Sequence, residues 1–158
     1  GAAFGGAVGL VACCDIAIAE ENASFCLSEV RIGLIPAVIS PYVMRAIGER
    51  ESRRYFLTAE RFMAPKAKHL GLLHEVVSEG ELNDSLETFV NTLLQNSPAA
   101  LTAAKSLIHN IYNRKISNNV IAHTEQAIAE IRVSPEGQEG LSAFLEKRKP
   151  AWLGKEDA

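Results

Sequence analysis

Two adjacent glycines, Gly5 and Gly6, stand in an apolar run that carries no charge before Asp15 ("GAAFGGAVGLVACCD"). A helix that starts there presents unpaired backbone N–H groups and a partial positive charge. Glycine lets a ligand come close to that backbone. Together they suit an anion, or an oxygen that becomes anionic during reaction, without any ionisable side chain. The same residues also fit close helix packing, a tight turn, or a weak nucleotide-loop lookalike, although both GxGxxG and GK[ST] are absent. Glu29 follows the apolar "SFCL" and precedes the apolar "IGLIP". That placement permits partial burial, which suits a carboxylate to proton transfer, whereas a solvated or ion-paired glutamate is the ordinary alternative. His69, His74, His109 and His123 are scattered, with no metal-pair spacing and no GxSxG before them. Surface or packing roles are expected for them. Cys13, Cys14 and Cys26 have apolar neighbours and cannot all pair. They read as buried reduced thiols in a reducing compartment, with no CxxC or Cys/His cluster to suggest a metal.

The elements that must hold these groups follow from punctuation and periodicity. Residues 5–14 read as a buried, glycine-opened helix, "IAIAE" (16–20) as an alternating strand, and "ASFCL" (23–27) as a second strand. Gly33 and Pro36 break the apolar stretch after Glu29 into loop. Ser40-Pro41 fits an N-cap with proline at the first helical position, and Gly48 fits the stop. Pro65 to Leu70 is a short helix ended by Gly71, and "LLHEVVS" (72–78) is one more strand. Ser97-Pro98 and Ser134-Pro135 repeat the start signal, giving helices near 80–96, 98–112, 116–132 and 135–148. The expected architecture is an α/β region over 1–78 and a helical region over 79–158.

Composition narrows the class. The chain has 158 residues, 47% apolar and 22% charged, which is enough for a real core in a globular protein. A net charge of −3 gives no global reason to bind nucleic acid or an anionic membrane, and the only concentrated basic stretch is Lys147 to Lys149. The uncharged run Gly1 to Cys14 is shorter than a membrane span and lacks a basic start. The first residue is not Met, and it lies inside an apolar segment, so the chain reads as part of a longer fold.

"GAAFGGAVGLVACCDIAIAEENASFCLSEVRIGLIP" resembles the enoyl-CoA hydratase/isomerase (crotonase) family. The glycine-rich turn, the Cys-Asp before an alternating strand, Ala-x-Phe, Ser-Glu and Gly-x-x-Pro occur in the family's order. "LTAERFMAPKAKHLGLLHEVV", "SPAALTAAKSLI" and "EGLSAFLEKRKPAW" resemble its later blocks, so the likeness covers essentially the whole chain. It implies the C-terminal part of a crotonase-like spiral followed by a helical trimerisation region. An N-terminal part, carrying further strands and the first oxyanion amide, is implied upstream.

The resemblance also implies chemistry. Family substrates are acyl-CoA thioesters, so coenzyme A belongs to the substrate, and no further cofactor or metal is implied. The Gly6 N–H maps onto the second oxyanion donor, and Glu29 onto an acid/base. Losing one such donor typically costs about 2.7–4 kcal/mol of transition-state stabilisation, so this chain alone is expected to be nearly inactive. Gly5, Gly9, Pro36, Ala37 and Ser40 fall along the implied substrate. Gly9 stands where hydratases of the family carry another glutamate. Its loss is expected to leave a void that admits a branched substrate, with Glu29 working alone. Phe144 and Lys147 match residues that approach the nucleotide of CoA, sometimes in a neighbouring subunit. The wording "IPAVISPYV" resembles bacterial methylglutaconyl-CoA and γ-carboxygeranoyl-CoA hydratases, whose second carboxylate Arg31 or Arg45 could pair with; a surface salt bridge is the plain alternative for each. A homotrimer or hexamer is implied, in bacterial cytoplasm or, in a eukaryote, the mitochondrial matrix. Two other readings stand beside hydration: Δ3,Δ2-enoyl-CoA isomerisation, which needs one base, and a non-catalytic oligomerisation module.

Overall fold

The computed structural model describes residues 1–154. Its order is β1 (Ala2–Phe4), α1 (Gly6–Cys13), β2 (Ile18–Glu20), β3 (Ser24–Cys26), a 3-10 turn (Glu29–Ile32), α2 (Ser40–Thr58), β4 (Phe62–Met63), α3 (Ala64–Leu70), β5 (Glu75–Val77), α4 (Leu82–Leu94), α5 (Pro98–Ile111), α6 (Asn118–Val133), α7 (Pro135–Glu146) and a last 3-10 turn (Ala151–Leu153). No helix among the described residues is long and apolar enough to cross a membrane. The contacts group the chain into two compact units, Gly1–Glu87 and a second starting at Thr88.

The first unit is α/β. β1 runs parallel to β3, with Phe4 opposite Cys26, and β4 joins β3 antiparallel. β2 and β5 form a separate parallel pair, with Ala19 opposite Val76. His74 supports the entry to that pair, its Nδ1 accepting the Ala17 N–H at 3.1 Å. The core lies between strands and helices, where Val8, Phe25, Leu27, Val43, Ile47, Tyr55, Phe62, Leu72 and Leu73 are buried together. Phe25 stacks on Phe62 at 5.6 Å, and Tyr55 tilts against Phe62 at 4.4 Å. Burying side chains of this size stabilises by about 1.5–3 kcal/mol each, which fixes β3 and β4 against α2.

In the second unit, helix starts are set by local chemistry. Ser97, Ser117 and Ser134 each accept a hydrogen bond from the backbone N–H three residues on. Glu136 reinforces the start of α5, its Oε2 accepting from Ser97 Oγ at 2.6 Å and from the Ala99 N–H at 3.0 Å. The hydroxyl bond, then the amide bond, holds that carboxyl below the usual range. After α7 the chain folds back. Glu139 accepts from both terminal nitrogens of Arg148 and from the Ala151 N–H. The Trp152 ring lies over Gly140, where a Cβ would come within 3.0 Å, and its Nε1 donates to Gln95 O at 3.2 Å.

Several expectations need correction. Ser40 is the first helical residue of α2, not its cap: Ile39 O accepts the first helical bond from Val43 N, and Ser40 Oγ donates to Ala37 O. Gly48 is the stop that its residue type suggested: with φ 78° and ψ 162° it is non-helical and divides α2 into two helical stretches, the second running on to Thr58. Cys26 is buried, but Cys13 and Cys14 are exposed at the end of α1. The short strands β1 and β4 carry too few residues to show a period and exist because β3 pairs with both.

Candidate active site

β1 and β3 deliver the groups of interest to the same place because they are parallel and in register. Gly5 follows β1 directly, and its N–H donates to Cys26 O at 2.9 Å, extending the ladder by one step. The chain then turns sharply into α1 with Gly5 at φ 54°, ψ −124°. L-residues rarely adopt that conformation, so the turn favours glycine. Glu29 lies three residues after β3, at the head of the 3-10 turn. Its carboxyl rests against Gly5: a Cβ there would be 3.4 Å from Glu29 Oε1 and 3.7 Å from Cδ. Gly5 thus serves both backbone angle and room for the carboxylate. Crevices beyond the carboxyl ends of parallel strands are where open α/β sheets bind ligands.

Two features set this crevice apart. Glu29 Oε2 is buried and has no hydrogen-bond partner. Buried polar atoms are satisfied in the great majority of cases, and leaving one unpaired costs about 1–3 kcal/mol or more when charged. Beside it, α1 starts without a side-chain cap and without an acidic residue in its first turn. Gly6, as its first residue, has no intrahelical acceptor for its N–H. Its α-carbon is open, with nothing within 4 Å of a built Cβ. An N–H without an intrahelical acceptor, on Gly6, and a buried oxygen without a partner, on Glu29, thus both flank Gly5.

The segment carrying Glu29 is anchored on both sides. Leu34 N–H donates to Glu29 O at 3.0 Å, and Gly33 closes the 3-10 turn in the left-handed conformation at φ 75°. Arg31 Nη2 donates to Ala59 O at 2.6 Å, an oxygen that also receives Cys26 Sγ–H at 3.2 Å. Arg54 forks onto Glu60 next to that turn and holds the Glu60 carboxyl below its ordinary range. The structure thus gives Arg31 an internal bond that fixes the Glu29 turn to the end of α2. Arg45 lies exposed on the first half of α2.

The remaining expected positions divide. Pro36 is buried, Ala37 exposed, and Ser40 half-buried at the start of α2. The loop after Glu29 exposes Ile32, Leu34, Ile35 and Val38, and Leu10 on α1 is also exposed. Gly9 is buried, and the void expected beside it is absent. A Cβ on Gly9 would lie 2.2 Å from Ile39 Cγ2 and 2.6 Å from Ile39 Cβ, so Ile39 already fills the space. Sequence reasoning missed Ile39. The available signal was a buried small residue on α1, which requires a large partner elsewhere. Phe144 is 81% exposed, and Lys147 caps α7 in the left-handed conformation, also exposed. Both belong to the second unit.

Comparison with known proteins places the chain in a family. A family model described as "Enoyl-CoA hydratase/isomerase" matches residues 1–155. A crystal structure of an enoyl-CoA hydratase from Shewanella pealeana is 56% identical, with a TM-score of 0.92 over 96% of this chain and 57% of that one. Pseudomonas aeruginosa AtuE is 36% identical, with a TM-score of 0.89 over 95% of this chain and 58% of that one. The enoyl-CoA hydratase AKT6-1 of Alternaria alternata is 36% identical over 154 residues, covering 94% of this chain and 50% of its own length. The chain spans about half the length of the curated relatives it matches. Matched over nearly all its residues by the family model and by structures sharing its crotonase fold, the chain belongs to the enoyl-CoA hydratase/isomerase family.

Proposed function

We propose that this chain supplies the acid/base and one oxyanion donor of an enzyme that hydrates an α,β-unsaturated acyl-CoA thioester. The observation that carries the reading is the buried, unpartnered Oε2 of Glu29 beside the uncapped glycine turn of α1. In this scheme the thioester oxygen accepts the Gly6 N–H as negative charge develops on it. Glu29 orders a water for attack at Cβ, takes its proton, and returns a proton to Cα. The exposed apolar side chains of residues 32–38 offer surface that an acyl chain would meet. The wording of residues 36–41 supports a branched or carboxylated acyl group. Phe144 and Lys147 would stack on and pair with the nucleotide of CoA in an assembled oligomer.

The lone carboxylate favours one second reading. Moving a proton between Cα and Cγ of a Δ3-enoyl thioester needs a single base, and Gly9 offers no second acid. The deciding experiment assays the full-length protein and Glu29→Gln with crotonyl-CoA, methylglutaconyl-CoA and a Δ3-enoyl-CoA. Hydration by the parent and a collapse in the variant support the first reading. Conversion of the Δ3 substrate alone supports the second. Unchanged turnover by Glu29→Gln would remove Glu29 from both.

We also propose that the second unit carries a self-association surface, since Leu94, Ile108, Ile116, Ile128, Phe144 and Leu145 are all more than half exposed. Light scattering that finds only monomer in the full-length protein would refute it.

A further inference from the structure

Gly5 and Gly9 are four residues apart, at the cap and on the first turns of α1, so they share one face of that helix. Glu29 lies against the first of them and Ile39 against the second. The segment 29–39 thus runs along the glycine face of α1, with its carboxylate at one end and its isoleucine at the other. Four residues of helix separate the two contacts by about 6 Å, roughly the reach of a short acyl chain from its reacting carbons. Ile39 is only half-buried, so part of its side chain still faces outward. A Cβ added to Gly9 would lie 2.2 Å from Ile39 Cγ2, far inside contact, so one of the two residues would have to shift.

We propose that Ile39, interlocked with Gly9, is the specificity-determining wall of the Glu29 site and limits the length of the acyl group. The assignment rests on the Glu29 reading above. Ile39 closes the side of the crevice away from the uncapped turn with a branched apolar surface. A linear C4 enoyl group fits short of that wall, and a C6 group meets it. Removing the outer carbons of Ile39 makes room for about two methylenes.

The test compares the full-length parent with Ile39→Ala and Ile39→Val on crotonyl-CoA and trans-2-hexenoyl-CoA. Each extra methylene accommodated in an apolar pocket is worth about tenfold or more in discrimination. The kcat/KM ratio of C6 to C4 should rise roughly a hundredfold in Ile39→Ala, and in the same direction but less in Ile39→Val. An unchanged ratio in variants that still turn over crotonyl-CoA overturns the wall and leaves the Glu29 reading standing. A parent that turns over neither thioester overturns this inference, while the methylglutaconyl-CoA and Δ3-enoyl-CoA assays decide the Glu29 reading separately. A second measurement needs no activity. Gly9→Ala should lower the melting temperature, and Gly9→Ala combined with Ile39→Gly, which removes both clashing carbons, should recover part of the loss. A Gly9→Ala protein as stable as the parent would overturn the interlock.

Discussion

α1 and α5 both start where an extended segment turns into a helix, yet they treat their first N–H groups differently. At α5, Ser97 Oγ accepts the Ala100 N–H, and Glu136 Oε2 takes the Ala99 N–H. At α1, Gly5 offers no side chain, and Gly6, as the first helical residue, has no intrahelical acceptor for its N–H. The glutamates differ in parallel. Glu136 and Glu139 collect donors from side chains and backbone, while the buried oxygen of Glu29 has none. All three are half-buried, so burial alone does not distinguish them. The second unit uses its polar groups up in holding helices together. The first unit leaves the Gly6 N–H without an intrahelical acceptor and two buried carboxylate oxygens, on Glu29 and Glu51, without a partner, which costs stability unless something completes them.

The sharpest way to break this contrast is to change Glu29. Glu29→Gln should lower kcat by about 10³–10⁴, toward the upper range for general acid–base catalysis. Because its partnerless oxygen stabilises nothing, the melting temperature should stay the same or rise. A parallel fall in stability and rate would make Glu29 a structural residue like Glu136.

The next largest effect is expected at the donor. Proline is well tolerated at the first helical position, so Gly6→Pro removes the N–H with little change to α1. Loss of an oxyanion donor should lower kcat by about 10²–10³. Gly6→Ala, which keeps the N–H and whose Cβ meets nothing within 4 Å, controls for folding in thermal melts. A Gly6→Pro enzyme as fast as the parent would show that this amide is idle.

In the second unit the outcome should reverse, with stability moving and chemistry unchanged. Ser97→Ala removes the cap of α5 and should cost about 1 kcal/mol in denaturant unfolding. An unchanged midpoint would mean that Glu136 alone holds the helix start.

The smallest effect concerns pH. The Arg148 bond, then the Ala151 N–H, pulls the Glu139 carboxyl from an ordinary 4.5 down to about 2. A group with a depressed folded value stabilises the fold above its unfolded value and loses that contribution on acidification. The fold-back after α7 should therefore loosen between about pH 4.5 and 2. Glu139→Gln should flatten that part of the stability profile. Trp152 fluorescence would report it, and an identical acid transition in the variant would refute it.

Local signals were legible from the residues themselves. Ser97-Pro98, Ser134-Pro135 and Gly71 mark helix ends correctly because caps and left-handed stops depend on only a few neighbouring residues. β2, β3 and β5 were readable because alternation and apolar runs are local too. Ser40 misled because its hydroxyl found Ala37 O instead of a helix N–H. Gly48 marks the break in α2 correctly, because a positive φ takes the chain out of the helical conformation. Cys13 and Cys14 misled because apolar neighbours in sequence do not ensure burial at a helix end.

By itself the sequence marked a glycine turn opening a helix, which glutamate stood between apolar stretches, and which α/β family the wording resembled. Such features are written in consecutive residues. Only the tertiary structure decided that Gly5 and Glu29 meet, because the meeting depends on the parallel register of β1 and β3, twenty-two residues apart at Phe4 and Cys26. It also decided that the space at Gly9 belongs to Ile39. That contact joins α1 to the start of α2 across thirty residues of chain, and packing volumes across such a distance are fixed only once the core closes.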